Sequence, residues 1–324
     1  MKEFNEHGER VEPPKKKRFN FFSGYAKDGK GVEKDDIITN YDFISFFKLY
    51  GRRFMKLIWV NALYIVGNFP VFFLLLAFSG YFSNIGTAPS SELFPVINGI
   101  HTAAGEISPS FAALLGIHGQ MSPVYADTVA TYILYGLSSL FIFTFGPVNA
   151  ACTYIVKNLV KGEPVFMWDD FKSTIKSTWK QSIPMGILDL LMIGLCAFAL
   201  NFYRYSYDTY YILFYCMILV SILYAFMRFY LYTLMVTFEL KFHQIIKNAA
   251  IFSLLAFGRN LIMLLACVML VMVTIWLGSL FVPLAVICIF MFLFSGCAYM
   301  GMYAAWPKIK KVMIEPYYKK EEIE

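Results

Sequence analysis

Residues 261–306 read LIMLLACVMLVMVTIWLGSLFVPLAVICIFMFLFSGCAYMGMYAAW, with no Asp, Glu, Lys or Arg anywhere between Arg259 and Lys308. The run is too long for one membrane crossing. A hydrocarbon core of roughly 30 Å is spanned by about 20 apolar residues in a helix rising 1.5 Å per residue. Gly278 and Pro283 interrupt it near the middle, so it reads as two spans, 261–282 and 284–306, joined by a tight turn. Basic residues stand beyond both far ends, and basic residues next to spans are held on the cytoplasmic side. The turn is therefore expected outside.

Four more apolar stretches of similar length precede this hairpin, at 57–79, 129–153, 183–203 and 211–237. Of the 28 Lys and Arg, all but Arg204 and Arg228 fall in 1–56, 154–182, 239–260 and 307–324. In a six-span arrangement these segments share one face, which places both termini in the cytoplasm and the protein in the cell membrane. The expected fold is all-α: a bundle of six transmembrane helices with interfacial amphipathic helices. Residues 1–40 read as a mostly disordered basic tail, 41–306 as the transmembrane domain and 307–324 as a cytoplasmic tail. The cluster Lys15-Lys16-Lys17-Arg18 is not followed by an apolar core before position 57, unlike a cleavable signal.

The composition agrees with a lipid environment. The chain is 58% hydrophobic and 15% charged, with a mean hydropathy of +0.57, whereas soluble domains carry about 25% charged residues. The net charge of +6 flanks apolar runs, so it points to anionic lipid rather than nucleic acid. Six cysteines lie inside apolar runs without a metal-binding spacing, and neither disulfide, metal nor cofactor is expected. No phosphate-binding glycine loop, HExxH or GxSxG motif is present, and the protein is read as non-enzymatic.

Between the spans, three segments stand out. From Tyr41 to Lys56, Phe43, Phe46, Phe47, Tyr50 and Phe54 recur at helical spacing among basic residues, as in an interfacial helix leading into the first span. The outer segment 80–128 reads as a long loop carrying His101 and His118, a weak metal signal. Over 165–183, Trp168, Phe171, Ile175 and Trp179 form one helical face, with Lys172, Lys176 and Lys180 on the next strip and Asp169 near the start. This helix suits the inner leaflet, aromatics toward lipid, or a docking surface for a cytoplasmic partner.

Around that helix the chain resembles the YesL family, bacterial polytopic membrane proteins of unknown function. The resemblance rests on Phe145-Gly146-Pro147, Asn149-Ala150-Ala151, Lys157-Asn158, Phe166, Trp168, Asp170-Phe171 and Trp179-Lys180-Gln181. Thr237-Phe238-Glu239-Leu240-Lys241 and Ile246-Lys247-Asn248-Ala249 extend it. The 80–128 segment is longer than such proteins suggest. Family members are often encoded beside carbohydrate-uptake ABC transporters, so the resemblance implies an accessory or regulatory role with such a transporter as partner. The 239–260 loop lacks the glycine spacing by which ABC permease subunits dock their ATPase.

Two charges lie well inside spans, Asp189 and Arg228. At 1.5 Å per residue they sit roughly 9 and 14 Å from the cytoplasmic side, within reach of each other. An ion pair between adjacent helices is expected, serving either helix register or, with Asn149, a cavity for a small-molecule or lipid carrier. Asn61 and Asn68 share a face and suit interhelical hydrogen bonds. The tyrosines clustered between 203 and 215 suit an interfacial belt.

Overall fold

The computed structural model describes residues 41–105 and 108–316, apart from the side chain of Asp208. The basic tail read at 1–40 and most of the C-terminal tail, 317–324, lie outside the described residues. Among the described residues five helical stretches are long and apolar enough to cross a membrane, or six if a bent pair forms one span. That pair is α1, Phe43–Gly67, and α2, Pro70–Phe78, which meet at 66°. The amphipathic segment is thus not separate from the first span: one helix runs from Phe43 through the expected boundary at 57. It breaks instead before Pro70, which has no N–H to continue the ladder.

Beyond α2 the segment expected to be a loop has structure of its own. Strand β1, Asn84–Pro89, pairs antiparallel with β2, Met121–Ala126, with Asn84 opposite Ala126 and Pro89 opposite Met121. Between the strands lie α3, Phe94–Ala104, and α4, Pro109–His118, where His101 stacks on Phe111 at 3.8 Å between ring centroids. Among the described residues no group of three or more His, Cys, Asp or Glu comes together. Next come α5, Val129–Ser138, and α6, Phe141–Lys161. The Thr128 hydroxyl caps α5 by accepting from the Thr131 N–H and donates to the Phe82 carbonyl at 2.5 Å, tying this segment to the end of α2.

Helix α7, Met167–Tyr205, is 39 residues long, about 58 Å at 1.5 Å per residue and nearly twice the membrane core. It joins the 165–183 segment and the third span into one helix, continuous through Pro184. Helix α8, Tyr207–Met235, returns; α9, Phe242–Leu255, follows; then come α10, Phe257–Leu280, and α11, Val282–Cys288. Phe281 alone separates the last two, with Pro283 in the first turn of α11, as the turn signals indicate. A π-helical turn, Ile289–Leu293, connects α11 to α12, Phe294–Ile309.

The buried side chains gather in the half of the bundle that carries the basic residues. One cluster joins Leu57 and Val60 of α1, Ile155 of α6 and Tyr303 of α12. The other joins Tyr230 and Leu234 of α8, Ile245 of α9 and Ile309 of α12. Large apolar side chains at the opposite end, such as Phe198, Tyr211 and Trp276, remain exposed.

Three contacts fix the helices. At Gly146 and Gly186 the backbones of α6 and α7 touch: a Cβ on Gly146 would fall 1.9 Å from the Ser182 carbonyl oxygen, and one on Gly186 2.4 Å from the Gly146 Cα. Small residues permit such approaches in membrane bundles. Asn61, fully buried, inserts into the π turn. Its Nδ2 donates to the Ile289 and Phe290 carbonyls, both at 2.8 Å, and its Oδ1 accepts from the Phe294 and Ser295 amides at 2.9 and 3.0 Å. The amide thus occupies the gap that a π turn opens in an α-helical ladder. In α12, Pro307 cannot bond the carbonyl four residues back, that of Tyr303. Arg259 takes it instead, donating from Nη2 at 2.7 Å and Nε at 3.2 Å.

Gly146→Ala is expected to cost about 3 kcal/mol or more, because a backbone rather than a side chain must yield. Gly194→Ala, with nothing within 4 Å of the added methyl, is expected to leave stability unchanged. Thermal unfolding of both variants in detergent checks this; equal melting temperatures would mean that the two helices do not touch.

Candidate functional site

The buried residues of α7 are Phe171, Thr174, Ser182, Met185, Gly186, Asp189 and Cys196. They form a stripe that runs through both the amphipathic and the spanning portions and meets α6 at Gly186. Because α6 approaches at backbone distance, the stripe is built mainly of small or polar residues. The aromatic face read from the sequence is therefore divided. Phe171 turns inward at 6% exposure, whereas Trp168 and Trp179 stay outside at 52% and 50%. Lys172 and Lys180 lie over those two rings, at 4.6 and 5.9 Å from the centroids, and Lys176 is exposed. At the start of α7 the Asp170 carboxylate accepts from the Phe166 amide at 2.8 Å, and Asp169 stands beside it in the first turn, where negative charge is favoured.

Gly186 sets the rotation of α7, and one turn further on Asp189 points at α8. The structure brings Asp189 and Arg228 together, with Arg228 Nε 2.9 Å from one carboxylate oxygen and 3.2 Å from the other. Two tyrosines complete the shell: the Tyr224 hydroxyl donates to Oδ1 at 2.7 Å and the Tyr232 hydroxyl to Oδ2 at 3.0 Å. Asp189 is fully buried, while 36% of the Arg228 side chain is exposed. A buried carboxylate is tolerable when paired and hydrogen-bonded at both oxygens. The sequence reading found the ion pair but not its tyrosines. Their spacing of four from Arg228 on α8 is the signal that was available, hidden in a span where aromatic residues are common.

Arg228 reaches past Asp189 into a cavity of about 320 Å³ between α1, α6, α8, α10 and α12. Asn149 and Thr153 of α6, Tyr64 of α1 and Thr233 of α8 give it polar walls; Phe229 and Leu264 are among the apolar ones. Asn149 keeps its side-chain Nδ2 on the Phe145 carbonyl at 2.8 Å. Two turns further along the same face of α6, the buried Lys157 donates to the Val236 carbonyl at 3.2 Å, closing the C-terminus of α8, where a cation complements the helix dipole.

Beyond Lys157 lies a larger open groove of about 810 Å³, at the end where the basic residues gather. One wall is the first half of α7, including Ser173, Ser177 and Lys180; the other is the turn Thr237–Lys241 between α8 and α9. Gln181 Nε2 bridges the walls by donating to the Leu240 carbonyl at 2.9 Å. The Lys241 amide donates to Gln244 Oε1 at 3.0 Å, fixing the start of α9. Two sequence segments far apart in the chain thus meet in one surface.

Asp189→Asn is expected to destabilise the fold by about 2–4 kcal/mol, since it strands Arg228 without its counter-charge. Pairing it with Arg228→Gln is expected to restore at least half of that. A double-mutant cycle on the unfolding free energy tests the coupling; strictly additive losses would show that the two side chains do not interact.

Comparison with known proteins matches residues 57–202 to a family model described as a protein of unknown function, DUF624. No curated protein and no solved structure matches the chain. The matched region runs from α1 to the end of α7, so the glycine contact at 146 and 186 and the acidic half of the ion pair fall inside it, while Arg228 and the 237–241 wall lie beyond it. Over those residues the chain is similar to a family whose members have no assigned function.

Proposed function

We propose that this protein is a non-enzymatic integral membrane protein of the YesL type, acting as an accessory or regulatory component of carbohydrate uptake. It lies in the cell membrane with both termini cytoplasmic, as the one-sided distribution of Lys and Arg indicates. Its docking partner on this reading is a carbohydrate ABC transporter. The observation that carries it is the 810 Å³ groove on the basic face, where the α7 extension and the Thr237–Lys241 turn present backbone and polar groups outside the packed core. On the same α7 extension, outside the groove's lining, the exposed Trp168 and Trp179 add the kind of side chain that anchors interfaces. The carbohydrate assignment rests on the family resemblance alone.

The test is co-purification from native membranes in mild detergent. Trp168→Ala combined with Trp179→Ala is expected to reduce the recovered transporter subunits by tenfold or more while leaving the melting temperature within a few degrees. Undiminished recovery with the folded double variant would remove the docking reading.

The cavity favours a second reading, a small-molecule or lipid carrier that uses Arg228, Asp189 and Asn149. Under it, Asp189→Asn abolishes flux through proteoliposomes of protein that remains folded.

A further inference from the structure

Arg228 is held by one edge and offered by the other. Its Nε–H is engaged by Asp189. Among the described residues its two terminal nitrogens make no hydrogen bond, and the residue lines the 320 Å³ cavity. The counter-charge does not face that cavity: Asp189 is fully buried, is absent from the lining, and has both oxygens taken up by Tyr224 and Tyr232. No acidic side chain lines the space; besides Arg228 its walls are neutral. What the cavity presents is therefore the free, planar edge of a guanidinium that its ion pair and the surrounding tyrosines keep oriented. A parallel pair of N–H donors on a charged plane matches a carboxylate or a phosphate, which it binds through two bonds at once. The volume is at the small end of ligand sites, enough for a headgroup or a small acid and not for an extended chain.

We infer that the cavity is a binding site for an anionic oxygen group, a carboxylate or phosphate, seated on the terminal nitrogens of Arg228. This rests on the cavity of the carrier reading but not on transport. Asn149 and Thr153 are placed to bond the remaining oxygens of such a group. Phe229 and Leu264 would accommodate the carbon skeleton that carries it.

The full-length protein in nanodiscs of phosphatidylcholine, with and without phosphatidylglycerol, gives the test by native mass spectrometry and thermal unfolding. Inorganic phosphate and acetate serve as soluble probes. The expected result is one tightly held anion per protein, with Arg228→Lys weakening it about tenfold, the loss of one charge-assisted hydrogen bond. Ala298→Leu, which fills the cavity without touching the ion pair, is expected to weaken it as much and decides the matter should Arg228→Lys fail to fold. Retention of phosphatidylglycerol identifies a lipid headgroup; protection by phosphate or acetate in phosphatidylcholine alone identifies a free anion. Equal occupancy in the wild type and Ala298→Leu, or no bound anion from either source, overturns the inference. Binding that persists in protein showing no flux would remove the carrier reading alone.

Discussion

The contact between α6 and α7 at Gly146 and Gly186 is the constraint from which the functional surfaces follow. Two helices whose backbones touch cannot rotate freely about their axes, because any turn brings a side chain into the contact. With that rotation fixed, the positions on α7 at helical spacing from Gly186 have assigned directions. Asp189 meets α8 on one side, and Thr174, Ser177 and Gln181 form the wall of the groove on the other. Gly146 likewise places Asn149 and Thr153 on the cavity and Lys157 at the end of α8.

Several polar side chains inside this bundle each serve a specific backbone need nearby, although the buried Ser182 hydroxyl makes no hydrogen bond among the described residues. Arg259 answers the carbonyl that Pro307 leaves open, and its guanidinium also lies over the Tyr303 ring at 5.2 Å. Lys157 answers the exposed C-terminus of α8. Asn61 answers four backbone groups of a π turn. In a medium that offers no water, an unsatisfied backbone group costs several kcal/mol, so these residues are explained by the helices they serve. Arg228 is different in kind, since its partner satisfies only part of its bonding capacity.

Much of this was legible in the residues. Apolar length located the crossings, Pro283 the last turn, and depth along two spans the meeting of Asp189 with Arg228. The failures have physical reasons. β1 and β2 each carry a proline, and Gly86 interrupts the first, so neither shows an alternating pattern; a two-stranded ribbon tolerates this because each strand has a free edge. The aromatic face of the 165–183 segment drew attention to bulk, yet backbone-close packing selects the smaller residues beside it. Helix continuity through Pro184 and the break at Asn68–Phe69 depend on which neighbours restrain each proline. Asn61 gave a correct hint of interhelical bonding, but a π turn some 230 residues away has no local signature.

That distant partnership has a consequence for how the chain is made. α1 leaves the ribosome well before α12, yet the buried amide of Asn61 is satisfied only by residues 289–295, and the hydroxyls of Tyr299 and Tyr303 reach back to the Phe46 and Asp42 carbonyls. Throughout synthesis the leading helix therefore carries polar groups whose partners do not yet exist. Among the described helices α12 thus acts as the latch on α1: until residues 289–303 have been made and packed, the Asn61 amide lacks the partners that the folded bundle gives it.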